Sequence, residues 1–236
     1  MRIWQNYLAE LLGTFVLVFM GTTGIVASNT LTSGNISFAE IVVPLGFGLA
    51  LLAGLYAFAE VSGGHFNPAV SLGLFLDGRL SPLDLAGYWT AQFIGAIGAS
   101  ALMLVPFNKT AVAGTATVPH VSDGSAFLLE VVFTAIFVTV ILQSTKSSRY
   151  TGSALVAIPL TLVSIHVALI PFTGSSVNPA RTLAPALIGD RWDSEWIYFL
   201  GPALGAIIAW LIHTVVVKGE LGLKPTPPRG EAESTG

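Results

Sequence analysis

Ser62-Gly63-Gly64-His65-Phe66-Asn67-Pro68-Ala69 and Gly174-Ser175-Ser176-Val177-Asn178-Pro179-Ala180-Arg181 are the two stretches that decide the fold. Each places Asn-Pro-Ala after a small, Gly/Ser-rich loop and before a short apolar run. Asn is a favoured helix N-cap. Pro is favoured at the first helical position, where its missing N–H costs nothing. Each triplet therefore predicts a helix start. The run from Asn67 to about Leu76 covers about 15 Å at about 1.5 Å per residue, half of a hydrocarbon core of roughly 30 Å. Two half-spanning helices are expected, one in each half of the chain.

The rest of the chain supplies a membrane for them. Of its 236 residues 53% are hydrophobic and 10% charged, and the mean hydropathy is +0.76. Soluble domains carry about 25% charged residues, so this chain belongs in a bilayer. A net charge of −3 suggests no nucleic-acid partner. With no cysteine there is no disulfide framework, thiol chemistry or Cys-based metal site; neither a metal nor a cofactor is expected. The first apolar run lacks a small-residue cleavage site and reads as a retained helix, not a signal peptide.

Six full spans are expected, over about Tyr7–Ala27, Glu40–Glu60, Pro82–Val105, Ser125–Gln143, Thr151–Pro171 and Glu195–Val217. Trp4 and Tyr7 fit an interfacial aromatic belt. Residues 106–124 read as a loop, and residues 219–236, Pro-rich and charged from Pro225 onward, as a disordered tail. With both termini cytoplasmic, the inner side holds Arg2, Arg79, Lys146, Arg149, Lys218, Lys224 and Arg229. The outer side then holds only Lys109 and Arg191, so the excess favours that orientation.

An internal repeat runs through the chain, over about 1–105 and 125–218. Glu10-x-x-x-Thr14 matches Glu130-x-x-x-Thr134, the Asn-Pro-Ala triplets match, and Gly95-Ala96 matches Gly205-Ala206. Three spans per half force the halves into opposite orientations, with a site expected at the midplane between them. The fold class is thus all-α: six transmembrane helices plus two half-spanning re-entrant helices in an inverted repeat. The half-helix N-termini should meet near the midplane. Each brings unpaired N–H groups and roughly half a positive charge, and the Asn67 and Asn178 amides can add donors. Such a thread opposes cations and hydronium while passing neutral hydrogen-bonding molecules.

These motifs resemble the aquaporin, or major intrinsic protein, family over nearly the whole chain except the tail. Glu10-Leu-Leu-Gly-Thr, Ala91-Gln92-x-x-Gly95-Ala96 and Gly201-Pro202-x-x-Gly205-Ala206 also match family motifs. The resemblance implies a narrow filter made by Phe47, His166, Ser175 and Arg181, in a water-selective pattern. Glycerol facilitators of the family carry a small residue in place of the His, an aromatic in place of Ser175 and Asp directly after the Arg, where this chain has Thr182. Ala186 likewise fits the water-channel pattern. The resemblance also implies that Glu10 and Glu130 hold the half-helix loops and that His65 braces its loop, that the chain forms a homotetramer in a cell membrane, and that Ser175 stands where the family often carries a mercury-sensitive Cys, so that this chain resists mercurials. Phe199 departs from the family pattern, which has Trp there.

Simpler readings stand beside these. One Asn-Pro-Ala alone is a helix cap; two in an inverted repeat are more. Arg181 lies in an apolar run, where facing lipid would cost several kcal/mol. His166 alone could be a packed core histidine and Phe47 plain core, so their roles rest on register. Glu10 and Glu130 could instead relay protons. The leading function is a passive water channel. A glycerol or small-solute channel, an ion- or proton-coupled transporter and a non-conducting adhesion protein are the alternatives. No Ser-His-Asp, metal-ligand or phosphate-loop arrangement is present, so no catalytic residues are assigned and an enzyme is not expected.

Overall fold

The computed structural model describes residues 3–32, 36–146 and 152–219. Helices α1 (Ile3–Thr32), α2 (Ile36–Ser62), α3 (Pro68–Leu76), α4 (Pro82–Leu102), α5 (Lys109–Ala113), α6 (Asp123–Ser144), α7 (Gly152–Thr173), α8 (Pro179–Gly189) and α9 (Trp196–Ile212) follow in order, α9 running on as π-helix over His213–Lys218. Helices close their own backbone hydrogen bonds, which a hydrocarbon surround requires. Outward positions such as Leu45, Leu49, Leu160 and Leu204 are exposed and apolar.

The six long helices and two short ones fall where expected. α1 and α2 extend further at both ends, and α5 interrupts the expected 106–124 loop, capped by the Asn108 side chain on the Ala111 N–H at 2.9 Å. α1, α2, α6, α7 and α9 with its continuation are long and apolar enough to cross a membrane. α4 is as long but carries Asp84, Thr90, Gln92 and Ser100, of which Gln92 and Ser100 are buried against the protein. The expected tail beyond residue 219 and most of the 146–150 connection lie outside the described residues.

Packing repeats with the sequence. α1 lies against α2 and α4; in the second half α6 lies against α7 and α9, and α2 joins α7 across the halves. The helix contacts are set by matched glycines. A Cβ on Gly95 would strike the Leu11 carbonyl oxygen, and one on Gly205 would stand 2.6 Å from that of Val131. Only a residue without a side chain lets these backbones approach so closely.

The half-helices point to opposite ends of the bundle. The C-cap of α3, Asp77, pairs with Lys218 at 2.8 Å, and Arg79 donates to the Thr145 carbonyl at 3.0 Å. So α3 ends where α6 and α9 end. α8 ends against α5, Gly189 on Ala113, and leads directly into the start of α9. There Ser194 donates to Asp123, the first residue of α6, at 3.0 Å. We call these the terminal end, which also holds the start of α1, and the distal end.

Candidate functional site

Both half-helices start as their residues dictate. Asn67 and Asn178 are extended at φ −157° and −154°, each followed by Pro at the first helical position. Asn67 Oδ1 accepts from the Ala69 N–H at 2.9 Å. Asn178 Oδ1 accepts from Ala180 at 3.0 Å and Arg181 at 3.3 Å. The loops before them share one conformation. Positive φ falls at Gly63, Gly64 and Phe66 in the first and at the matching Gly174, Ser175 and Val177 in the second. A β-branched Val177 at φ 45° is strained and persists only where its surroundings fix it.

The two fully buried glutamates do that fixing. Glu10 Oε1 accepts from Ser62 Oγ at 2.7 Å and His65 N at 2.9 Å; its Oε2 accepts from Phe66 N and Gln92 Nε2, both at 2.7 Å. Glu130 Oε1 accepts from Thr173 Oγ1 at 2.7 Å and Ser176 N at 2.9 Å, and its Oε2 from Val177 N at 2.8 Å. Two loop N–H groups per carboxylate align, one on each oxygen. His65 Nδ1 pairs with Ser71 Oγ at 3.0 Å, and the matching Ser176 Oγ accepts from Thr182 Oγ1 at 2.6 Å.

Between the halves the caps cross. Asn67 Nδ2 donates to the Val177 carbonyl at 2.7 Å, and Asn178 Nδ2 donates to the Phe66 carbonyl at 3.0 Å. Each amide keeps a second N–H, and both residues line a narrow cavity with Phe47, His65, His166 and Arg181. That cavity offers about 20 Å³ to a water-sized molecule, close to the minimum of roughly 10–15 Å³ that holds one water. Toward the terminal end it gives way to a vestibule of about 190 Å³ lined by His65, Arg79 and Thr145.

Phe47, His166, Ser175 and Arg181 come together on the distal side of the crossed caps. The rings of Phe47 and His166 meet edge to face at 4.9 Å. The Arg181 guanidinium carbon lies 5.0 Å from the centre of the Phe47 ring, and Nη1 donates to the Thr115 carbonyl at 3.0 Å. Ser175 Oγ pairs with His166 Nδ1 at 2.8 Å and meets the cavity through that histidine.

Comparison with known proteins shows the family of the chain. The model of the major intrinsic protein family matches residues 1–213. The chain belongs to the major intrinsic protein family. It is similar to aquaporin Z of Brucella melitensis, 39% identical over 226 residues covering 91% of this chain and 96% of that one. It is similar also to glycerol uptake facilitator protein-like 6 of Lactiplantibacillus plantarum, 37% identical over 212 residues covering 87% and 94%. The aquaglyceroporin of Plasmodium falciparum shares the fold at a TM-score of 0.80 and 24% identity, over 92% of this chain and 97% of that one. As a major intrinsic protein the chain is a passive membrane channel and not an enzyme.

Several residues of this family member were not singled out from sequence. Gln92 appeared only within a motif, yet it links Glu10 to Ser71 Oγ at 2.8 Å. Thr115 holds Arg181 through its backbone, which no side-chain pattern could signal. Asp77 gathers Lys218, Arg79 at 2.7 Å and the buried His213 at 3.2 Å. Burial works to raise its carboxyl, but the bonds from Lys218 and Arg79 outweigh this and hold it below the ordinary range. Phe199 stands where the family pattern has Trp. Its counterpart in the first repeat, Trp89, donates Nε1–H to the Pro68 carbonyl at 3.0 Å. The Phe199 side chain has no N–H to give and stacks with Phe93 at 6.4 Å instead.

Proposed function

We propose that this channel is selective for water and excludes protons, ions and glycerol, with Phe47, His166, Ser175 and Arg181 as its filter and the two Asn-Pro-Ala caps as its centre. The observation that carries the reading is the waist of about 20 Å³, walled by Phe47, His166 and Arg181 and by both cap asparagines. Water can exchange its hydrogen bonds with the amides, the imidazole and the guanidinium in single file. A three-carbon polyol needs more width. Two helix N-termini, each worth roughly half a positive charge, meet beside this file and oppose cations. In this reading Glu10 and Glu130 are scaffold, His65 braces its loop, both termini are cytoplasmic, and the terminal end faces inward. The protomer, one domain over residues 1–218 built from two repeats, works within a homotetramer in a cell membrane.

Stopped-flow light scattering of proteoliposomes under water and glycerol gradients tests the proposal. Fast water flux with glycerol flux near that of empty vesicles is expected. The second reading, a glycerol channel, is favoured by the similarity to a glycerol uptake facilitator-like protein, and rapid glycerol entry would establish it. Mercurials should leave the wild type conducting, since the chain has no thiol. Ser175→Cys places one against His166 and should give inhibition reversed by added thiol. Thiol-reversible mercury block of the wild type contradicts the first expectation, and no block of the variant contradicts the position given to Ser175.

A further inference from the structure

The loop between α8 and α9 carries a carboxylate that none of these roles uses. Glu195 occupies the N-cap position of α9 yet makes no side-chain capping bond. Its Oε1 accepts from the Asp193 N–H at 3.3 Å. Its Oε2 is buried and has no hydrogen-bond partner among the described residues. Arg181 lies within its electrostatic reach, and Arg181 Nε is likewise buried and unpartnered.

Among the described residues the guanidinium is lightly held, by the Thr115 carbonyl and the Phe47 face. A buried cation needs a counter-charge. Glu130 is the stronger charge in its field, but each Glu130 oxygen is committed to the loop, accepting from Thr173, Ser176 and Val177. Glu195 differs in having a buried oxygen that accepts no hydrogen bond among the described residues. We propose that Glu195 is a positioning residue for Arg181: its carboxylate draws the guanidinium toward the distal wall, and its neutral form releases the guanidinium into the waist. This rests on the reading of Arg181 as part of the filter.

The charged and titratable groups around Glu195 are Asp193 in its own loop, Arg181 from α8 and Tyr198 from α9. Asp193 is itself paired with Arg191 at 2.9 Å, and Asp123 at the start of α6 lies near Tyr198. Burial, with the Asp193 charge adding to it, pushes the Glu195 carboxyl up to about 7, against the pull of the Asp193 N–H and Arg181. The sign follows. Above that pH the carboxylate forms and the waist is open; below it the carboxyl is neutral and the waist narrows.

Water permeability of proteoliposomes is measured from about pH 6 to about pH 8, a unit either side of the transition and hence a tenfold swing in protonation ratio each way. Wild type, Glu195→Gln and Glu195→Asp are compared. Wild-type flux should fall several-fold toward acid, Glu195→Gln should stay at the low value throughout, and Glu195→Asp should regain the pH dependence. His166 is present in all three, so a titration of His166 would leave Glu195→Gln pH-dependent. A flat wild-type profile, or a Glu195→Gln profile matching a pH-dependent wild type, overturns the assignment and leaves water selectivity standing. Failure of the filter reading shows separately, as glycerol flux in the wild type. The wild-type profile tests the proposal even where a variant does not accumulate.

Discussion

Glycerol should enter vesicles carrying the Phe47→Ala/His166→Ala pair at least about tenfold faster than vesicles carrying wild type, a change of about 1.4 kcal/mol in barrier. The two rings meet at 4.9 Å and wall the narrow cavity together, so removing both widens it where a polyol is stopped. Arg181 keeps its bond to the Thr115 carbonyl, and the half-helix N-termini are untouched. Proton and cation leak should therefore stay at the wild-type level. Water and glycerol flux are measured in the same liposomes, with retained water flux reporting a folded channel. Wild-type glycerol flux as fast as that of a dedicated facilitator, or no gain in the double variant, would sink the filter assignment.

The second large effect is on folding. Glu130→Gln and Glu10→Gln should lower the yield and thermal stability of folded protein far more than they change selectivity. Both oxygens of Glu130 accept backbone N–H groups, from Ser176 and Val177. A glutamine has one acceptor oxygen, so its NH₂ must face one of those donors. Each charge-assisted bond weakened costs about 1.5–3 kcal/mol, and a buried donor left facing another donor adds its own desolvation. Glu10 makes four such bonds and should suffer at least as much. Detergent-solubilised yield and melting temperature give the measurement. Proton-coupled uptake by the wild type that the Gln variants abolish would show that the carboxylates are relays instead.

Much of this was legible because the deciding interactions are local or repeated. Asn-Pro fixes a helix start within three residues, and the pairs Glu10/Glu130 and Gly95/Gly205 report matching contacts in both halves. Phe47 and His166 came from register within the family and not from any pattern of their own; their meeting with Arg181 is tertiary. Backbone acceptors were invisible: the Thr115 carbonyl on Arg181 leaves no trace in side-chain identity. Helix ends such as those of α1 and α2 were read short, because hydropathy marks the apolar centre of a helix and continues poorly into polar turns such as Asn29 and Ser62. α5 has only five residues, fewer than any periodic signal needs.

The crossed bonds of Asn67 and Asn178 also constrain how the channel is made. As the chain is synthesised the first repeat emerges alone, and among the described residues its Asn67 Nδ2 and Phe66 carbonyl find their partners in Val177 and Asn178, more than 100 residues away. Unsatisfied polar groups in hydrocarbon cost several kcal/mol apiece. The first re-entrant loop, already held by Glu10 and Gln92 from its own repeat, therefore completes its central junction only once the second half is in place. A nascent chain stopped after α4 leaves Asn67 Nδ2 and the Phe66 carbonyl without these partners within the bilayer.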